Sequence, residues 1–343
     1  MEYEKKHPFF SIMFMVMAVV SGSCGGGGGG EEDTGTDDGQ EPDSPDDGGD
    51  PFTEEDNEPD TAEDPASDPT EDMPPDTEQD VPEDTPGDAD EDGTPGIVDE
   101  LGTNNQDITG IERVIFLGDS ITATPYLTSP WSDRIRDDLQ TLFGSGVEIL
   151  NLAAWGARTE HVRDDQLPRI DTSSTMRTLV MMTIGGNDAL QVIGEPADVS
   201  LAHMEEKVAI LEEILAWLVD PAHFPGGVDV IFANLYDPTD GEGDFTHCGI
   251  GVSYEDWPAL PEVEPVANGW YLDLAMEYDV DMLDMHGLFL GHGYNNTDTS
   301  NPNYCRGCTP DCPCPRWFDL SCIHPNSDGH EALAGFFLGM ITR

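Results

Sequence analysis

The sequence predicts an α/β fold in which a parallel sheet lies between two layers of helices. Five short apolar runs occur in residues 108–343, and most are continuous rather than alternating, as expected for strands that helices cover on both faces. Helix-like stretches lie between these runs, and such β-α alternation predicts a doubly wound sheet with right-handed crossovers. The predicted strands are 113–117, 147–152, 178–184, 228–234 and 280–284.

Four helices are predicted from capping and apolar spacing. Ser129 and Pro130 form a start signal for a helix over 131–143. A second helix, 201–219, carries apolar residues at helical spacing: Leu201, Met204, Val208, Leu211, Leu215 and Leu218. The stretches 264–278 and 327–341 complete the set, and the non-periodic stretches 237–261 and 290–321 are expected to be insertions over the ligand edge of the sheet.

The amino terminus predicts export. Lys5 and Lys6 precede an apolar run over 9–20, which is too short to span a bilayer but suits the core of a signal peptide. Small residues then lead to Cys24, which is similar to a bacterial lipoprotein cleavage site, although Ser21 stands where such sites usually carry an aliphatic residue. We expect residues 1–23 to be a signal peptide and Cys24 to be lipidated; plain secretion is the alternative.

Residues 24–107 have the composition of a disordered tether. Six glycines follow Cys24, and residues 31–100 contain 31 acidic residues and no Lys or Arg. Such a segment buries too little apolar surface to offset its ordering entropy. The net charge of the whole chain is -58, and the folded part is also acidic, which excludes a nucleic acid as a partner because phosphate binding needs a basic surface.

The candidate nucleophile is Ser120. It follows the first predicted strand in the sequence Gly118-Asp119-Ser120, where a glycine permits a tight turn at the sheet edge. A hydroxyl and a backbone N–H at that edge suit a nucleophile with an oxyanion donor. Alone, the tripeptide equally fits an ordinary turn.

Two further motifs lie after the next two strands. Gly156 has no side chain to block the approach of an oxyanion to its N–H, and Asn187, in Gly185-Gly186-Asn187-Asp188, offers a side-chain amide donor. We expect Asp188 to orient this loop rather than to react. Each motif by itself is also compatible with a plain turn.

The candidate base is His324, in His324-Pro325-Asn326 just before the last predicted helix. In this order, the motifs resemble those of the SGNH, or GDSL-type, hydrolase superfamily over residues 113–343. The resemblance implies a three-layer α/β/α sandwich with a five-stranded, flavodoxin-like parallel sheet. It also implies that Ser120 is the nucleophile, that Ser120, Gly156 and Asn187 form the oxyanion hole, that Asp119 and Asp188 support the site, and that His324 is the base.

One position departs from the family pattern. The family usually has an Asp three residues before the catalytic His, and this chain has Ser321 there, with Asp319 two residues further upstream. Three hypotheses follow: Asp319 reaches His324 through a shifted loop, a backbone carbonyl replaces the carboxylate, or the enzyme is impaired.

Six cysteines follow the predicted tether. Their even number in an exported chain favours disulfides of unknown pairing, and a zinc site at the CxxC and CxC spacings is the alternative. They are Cys248, Cys305, Cys308, Cys312, Cys314 and Cys322.

Taken together, the sequence predicts a monomeric serine esterase, lipid-anchored to the bacterial cell envelope at the periplasm or cell surface, that needs no metal or cofactor. The ester is expected to be an O-acetylated carbohydrate or a lipid or short-chain ester. Tyr126, Trp131 and Trp155 are candidates for an apolar acyl pocket or for stacking on sugar rings. The alternative is a catalytically impaired surface protein of this fold that binds carbohydrate.

Overall fold

The structure is a computed structural model that describes residues 97–123, 129–246, 256–304 and 314–343. Several predicted features lie outside the described residues: the signal peptide, the tether up to residue 96, Cys24, Tyr126, Cys248, Cys305, Cys308 and Cys312.

A seven-stranded sheet forms the centre of the fold, with the strand order β1-β2-β7-β6-β5-β3-β4. The five strands from β7 to β4 are parallel, which confirms the predicted parallel sheet, and β1 and β2 add an antiparallel edge. The strands are β1 Ile97–Asp99, β2 Gly102–Asn104, β3 Arg113–Gly118, β4 Glu148–Asn151, β5 Thr178–Thr183, β6 Val228–Ala233 and β7 Asp281–Leu283.

The antiparallel edge corrects the predicted boundary between tether and domain. β1 and β2 lie within residues 24–107, yet β2 pairs with β7 through Gly102 and Leu283. Thr103 is fully buried, and its hydroxyl accepts a hydrogen bond from the backbone N–H of Met282 at 2.8 Å. The folded domain therefore begins before residue 108; the two strands have only three residues each and lack the apolar pattern that marks the others.

Helices cover both faces of the sheet, as predicted. One face packs against α5 and α6, and the other packs against α1, α2, α7 and α8, so that alternate side chains of β3, β5 and β6 enter two separate cores. The helices are α1 Trp131–Arg134, α2 Arg136–Phe143, α3 Thr159–His161, α4 Gly186–Ala189, α5 Ala197–Val219, α6 Leu260–Glu277, α7 Met285–Phe289 and α8 Ser327–Thr342. A π-helical turn, Val162–Gln166, and two 3₁₀ turns, Leu167–Arg169 and Leu190–Val192, connect these elements.

The predicted helix over 131–143 is divided at Ile135 into α1 and α2. Ile135 is fully buried in the same core as Trp131 and Leu139, so α1 and α2 contribute to one continuous buried face across the division. None of the helices in the described segments is long and apolar enough to cross a membrane.

The close approach of β3 and β5 at their carboxyl ends is testable at Gly118. A Cβ at Gly118 would lie 1.9 Å from the carbonyl oxygen of Thr183, and the φ of Gly118 is +113°. We expect Gly118→Ala to destabilise the fold by about 2 kcal/mol or more, since both backbone strain and a backbone clash act against it.

Thermal unfolding of the full chain measures this effect, and Gly335→Ala is the matched control. A Cβ at Gly335 meets no atom within 4 Å, and this residue lies inside α8, where alanine is favoured over glycine. Equal melting temperatures for the two variants would contradict the argument.

Candidate active site

The predicted site residues meet at the carboxyl edge of the parallel sheet. Ser120 follows β3, Gly156 follows β4, Asn187 lies in α4 after β5, and His324 precedes α8. The Ser120 Oγ lies 2.7 Å from the His324 Nε2. Residues 204 positions apart in sequence are thus placed at hydrogen-bonding distance, which is the geometry of a nucleophile and its base.

A buried hydrogen-bond network fixes the turn that carries Ser120. Asp119 is 2% exposed, and its Oδ1 accepts hydrogen bonds from the N–H of Ile121 and the hydroxyl of Thr183, both at 3.0 Å. Burial raises the pKa of Asp119 to about 7, against the lowering effect of these hydrogen bonds. Asp119 therefore connects the nucleophile turn to the end of β5.

Gln166 is a supporting residue that the sequence did not indicate. Its side-chain amide donates to the carbonyl of Gly118 and accepts from the N–H of Gly118, both at 2.8 Å. Gln166 is 2% exposed and ends the π-helical turn. Since a glutamine in an irregular turn has no distinguishing pattern, its role emerges only from the tertiary structure.

The candidate oxyanion donors lie in the segments that follow β4 and β5. Gly156 has a φ of +70° and is solvent-exposed, and a Cβ there would meet no atom within 4 Å. The Asn187 Nδ2 donates to the carbonyl of Ala157 at 3.0 Å, which uses one of its two hydrogens and connects α4 to the loop of Gly156. The second hydrogen is free to serve an oxyanion.

The Asp188 side chain binds the segment that follows Gly156, at Thr159. It is fully buried, and its carboxylate accepts hydrogen bonds from the N–H and the hydroxyl of Thr159 at 3.1 and 3.3 Å. Burial raises its pKa to about 6. These contacts match the orienting role expected for Asp188.

The contact between His324 and Asp319 differs from two of the predicted alternatives, a direct Asp319 contact and a backbone carbonyl, while the third, an impaired enzyme, stays a prediction. Asp319 makes no direct hydrogen bond to the His324 ring; the Ser321 hydroxyl lies between them. The Ser321 Oγ is 3.2 Å from the His324 Nδ1 and donates to the Asp319 Oδ1 at 2.5 Å. The Ser321 N–H also donates to the Asp319 Oδ1, at 2.8 Å. A serine hydroxyl thus stands where we expected a shifted Asp319 or a backbone carbonyl.

The direction of these hydrogen bonds is determined by the donors available. A carboxylate only accepts, so the Ser321 hydroxyl donates to Asp319 and is free to accept from the N–H at His324 Nδ1. The His324 Nε2 then carries a lone pair, which accepts from the Ser120 hydroxyl. We call this series Asp319–Ser321–His324–Ser120 the relay.

Side chains from other elements hold the loop that carries His324. The Tyr236 hydroxyl donates to the carbonyl of Ile323 at 2.5 Å, and the Tyr294 hydroxyl donates to the carbonyl of Asp319. Asn326 caps α8 by accepting from the N–H of Gly329 at 2.9 Å. Cys322, which is fully buried, adopts a φ of +63° in this loop.

Burial lowers the pKa of His324 below its ordinary value, and the negative charge of Asp319 partly opposes this effect. The ring is half-buried, and the indole of Trp155 is tilted against it with ring centroids 5.5 Å apart. His324 is consequently neutral, and able to accept a proton, at neutral pH.

The two aromatic candidates among the described residues differ in position. Trp155 is 52% exposed beside His324, whereas Trp131 is fully buried and stacks on Phe337 with ring centroids 4.0 Å apart. Trp131 is therefore a core residue, and its predicted place in an acyl pocket or sugar-stacking surface is wrong: its helix packs into the core beneath the sheet. Within the described ranges, no cluster of three or more His, Cys, Asp or Glu side chains is placed to hold a metal ion.

Comparisons with known proteins agree with this geometry. Residues 116–332 match the model of the GDSL-like lipase/acylhydrolase family. The chain belongs to this family. The matched residues include Ser120, Asn187 and His324, and family membership identifies the protein as a hydrolase.

Several solved structures are similar to this GDSL-like hydrolase at low sequence identity. An acetylxylan esterase from Geobacillus stearothermophilus is 16% identical over 69% of this chain and 97% of its own, with a TM-score of 0.46. A putative GDSL-like lipase from Parabacteroides merdae is 15% identical over 69% of this chain and 99% of its own, with a TM-score of 0.45. An extracellular lipase from Streptomyces rimosus is 17% identical over 67% of this chain and 97% of its own, also with a TM-score of 0.45. No curated protein matches the chain. These structural likenesses are too weak to indicate a substrate.

The effect of the Asp319 charge on the pKa of His324 should be measurable. We expect His324 to titrate below pH 6.5 in nuclear magnetic resonance spectra, and Asp319→Asn to lower its pKa further, because the carboxylate stabilises the imidazolium. Asp328→Asn, which removes an exposed carboxylate from the first turn of α8, is the matched control. A pKa above 6.5 would contradict the dominant effect of burial, and equal shifts in both variants would count against the relay.

Proposed function

We propose that this hydrolase is a serine esterase that cleaves carboxylic esters through an acyl-enzyme on Ser120. The observation that carries the proposal is the 2.7 Å contact between the Ser120 Oγ and the His324 Nε2. His324 accepts the Ser120 proton as the oxygen attacks the ester carbonyl. The carbonyl oxygen becomes an oxyanion that the N–H groups of Ser120 and Gly156 and the Asn187 amide stabilise.

The second half of the reaction uses the same groups. Protonated His324 donates its proton to the departing alcohol, which leaves an ester between the acyl group and Ser120. Water then attacks this ester while His324 accepts one of the water's protons, and the carboxylic acid leaves as Ser120 regains its proton. Residues of the protein itself carry out every proton transfer in this reaction.

In this proposal the relay stabilises the imidazolium form of His324. Asp319 acts through the polarised Ser321 hydroxyl, so the charge reaches the ring over one extra hydrogen bond. The effect should be weaker than that of a directly bonded carboxylate, because Coulomb energy falls with distance. Ser321 and Asp319 are positioning residues, since neither touches the substrate.

We also propose that the cysteines form disulfides and that the protein is exported and lipid-anchored. The even number of cysteines after the predicted tether and the burial of Cys314 and Cys322, 2% and 0% exposed, support the first proposal. The apolar run before Cys24 and the acidic segment after it support the second. Detergent partitioning of the full chain should be lost on Cys24→Ser; a variant that still partitions would argue against lipidation.

Ser120→Ala tests the nucleophile. We expect it to abolish hydrolysis of aryl esters and labelling by a fluorophosphonate, because among the described residues Ser120 has the only hydroxyl at hydrogen-bonding distance of the His324 Nε2. Ser173→Ala, which removes an exposed hydroxyl, is the matched control and should leave both unchanged. Folded Ser120→Ala protein with normal turnover would disprove the mechanism, and wild-type protein with no turnover or labelling would favour a binding protein.

The relay is tested by variants of Ser321. We expect Ser321→Ala and Asp319→Asn each to lower kcat by about 10- to 100-fold, below the roughly 10⁴-fold cost of disrupting a direct Asp–His pair. Ser321→Thr should retain most of the activity because it keeps the hydroxyl. KM should change little, since the relay acts on the imidazolium and not on substrate binding.

The double variant separates a relay from two independent effects. If Ser321 and Asp319 act through one series of hydrogen bonds, Ser321→Ala combined with Asp319→Asn should cost no more than either change alone. Costs that multiply, or a Ser321→Thr variant as slow as Ser321→Ala, would disprove the relay.

A further inference from the structure

An apolar cavity opens beside Ser120 and extends into the layer of α5 and α6. Ser120, Asn187 and His324 are among its lining residues, and its cavity volume is about 100 Å³. Its walls come from the turn after α4, from α5 and α6, and from the ends of the first insertion. Representative wall residues are Ile193, Met204, Phe245, Trp257, Val263 and Ala267.

The walls of this cavity are core side chains. Met204, Val263 and Ala267 are each 1% exposed, and they belong to one of the two hydrophobic cores. Protein interiors normally close such space, because an empty apolar cavity destabilises the fold. A cavity that remains open next to a nucleophile indicates that an apolar group fills it during the reaction.

The polar groups that line the cavity already have partners. The Tyr236 hydroxyl donates to Ile323, the Thr183 hydroxyl donates to Asp119, and Glu264 is paired with His286 at 2.8 Å. The indole N–H of Trp257 is an exception, with no hydrogen-bond partner among the described residues. Apart from the Asn187 amide, which is assigned to the oxyanion, this one donor does not match the several hydroxyls of a sugar ring, whereas a hydrocarbon chain requires no partners.

We propose that this cavity, the acyl pocket, binds the acyl chain of the substrate and that the enzyme acts on esters of medium-chain fatty acids. The inference rests on the proposed esterase function and selects among its substrates. An acetyl group places one methyl beside the carbonyl and leaves the rest of the acyl pocket empty. A longer acyl chain attached to the same carbonyl extends from Ser120 along the apolar walls, and its binding releases water from the acyl chain and from the walls.

A series of p-nitrophenyl esters from acetate to decanoate tests the inference with the full chain. We expect kcat/KM to rise about threefold to fourfold per added methylene until the acyl pocket is filled, since each buried methylene contributes a similar factor to transition-state binding. Hydrolysis of octanoate should thus exceed that of acetate by more than about 100-fold in kcat/KM.

Ile193→Trp fills part of the acyl pocket from the turn after α4. We expect it to lower the octanoate-to-acetate ratio of kcat/KM at least about tenfold, since it removes space for several methylenes. Val199→Trp is the matched control: Val199 is 45% exposed on α5, does not line the acyl pocket, and should leave the ratio unchanged. Equal ratios for both variants would overturn the assignment of this cavity to the acyl chain.

Binding separates this inference from the esterase proposal. Octanamide, a neutral analogue of the acyl part, should bind Ser120→Ala protein in calorimetry, and acetamide should not. Ser120-dependent hydrolysis with a flat or falling chain-length profile would overturn the acyl pocket and leave the esterase standing. Octanamide binding without any hydrolysis would uphold the acyl pocket and overturn the esterase, and the absence of both would overturn both.

Discussion

The contact between the carboxyl ends of β3 and β5 is the constraint on which the site depends. Gly118 packs directly against the Thr183 carbonyl, which accepts a hydrogen bond from the Asp119 N–H at 3.1 Å, and the Thr183 hydroxyl contacts Asp119 and Thr122. Only a residue without a Cβ permits this approach. Because Ser120 follows β3 and Asn187 follows β5, one backbone contact sets the distance between nucleophile and oxyanion donor.

The base is positioned by different means. His324 belongs to a loop outside the sheet, so side chains rather than strand pairing must fix it. Tyr236 and Tyr294 hold two of its carbonyls, Asn326 caps α8, and Ser321 bonds the ring itself. Ser321 also orients Asp319 through two hydrogen bonds. One short loop thus contains both the base and the group that sets its tautomer, which is why a serine can occupy the position where the family has an aspartate.

The strands and the motif residues could be predicted from the sequence because they depend on local patterns. Buried parallel strands are continuous apolar runs, and Ser120, Asn187 and His324 stand in recognisable tripeptides beside them. β2 could not be predicted, because its stability comes from Leu283, far along the chain. Gln166 acts through two tertiary hydrogen bonds to Gly118, and the Ser321 hydroxyl acts through contacts whose geometry depends on the fold of its loop. The spacing of the sequence motif identified Asp319, but it did not identify the Ser321 oxygen that connects Asp319 to the His324 ring.

The two insertions contribute to different parts of the site, and hydrogen bonds join them to each other. The first, after β6, supplies Phe245 and Trp257 to the acyl pocket, and the second precedes the loop of His324. The buried Asp240 carboxylate, in the first insertion, accepts hydrogen bonds from the N–H groups of Gly291, Gly293 and Asn295 in the second, at 2.9, 2.8 and 3.0 Å. Burial raises the pKa of Asp240 to about 6, so these three donors stabilise an ion that its surroundings would otherwise disfavour. This carboxylate is therefore one of the contacts that connect the wall that receives the acyl chain to the loop that carries the base, and a shift in either insertion would move the other.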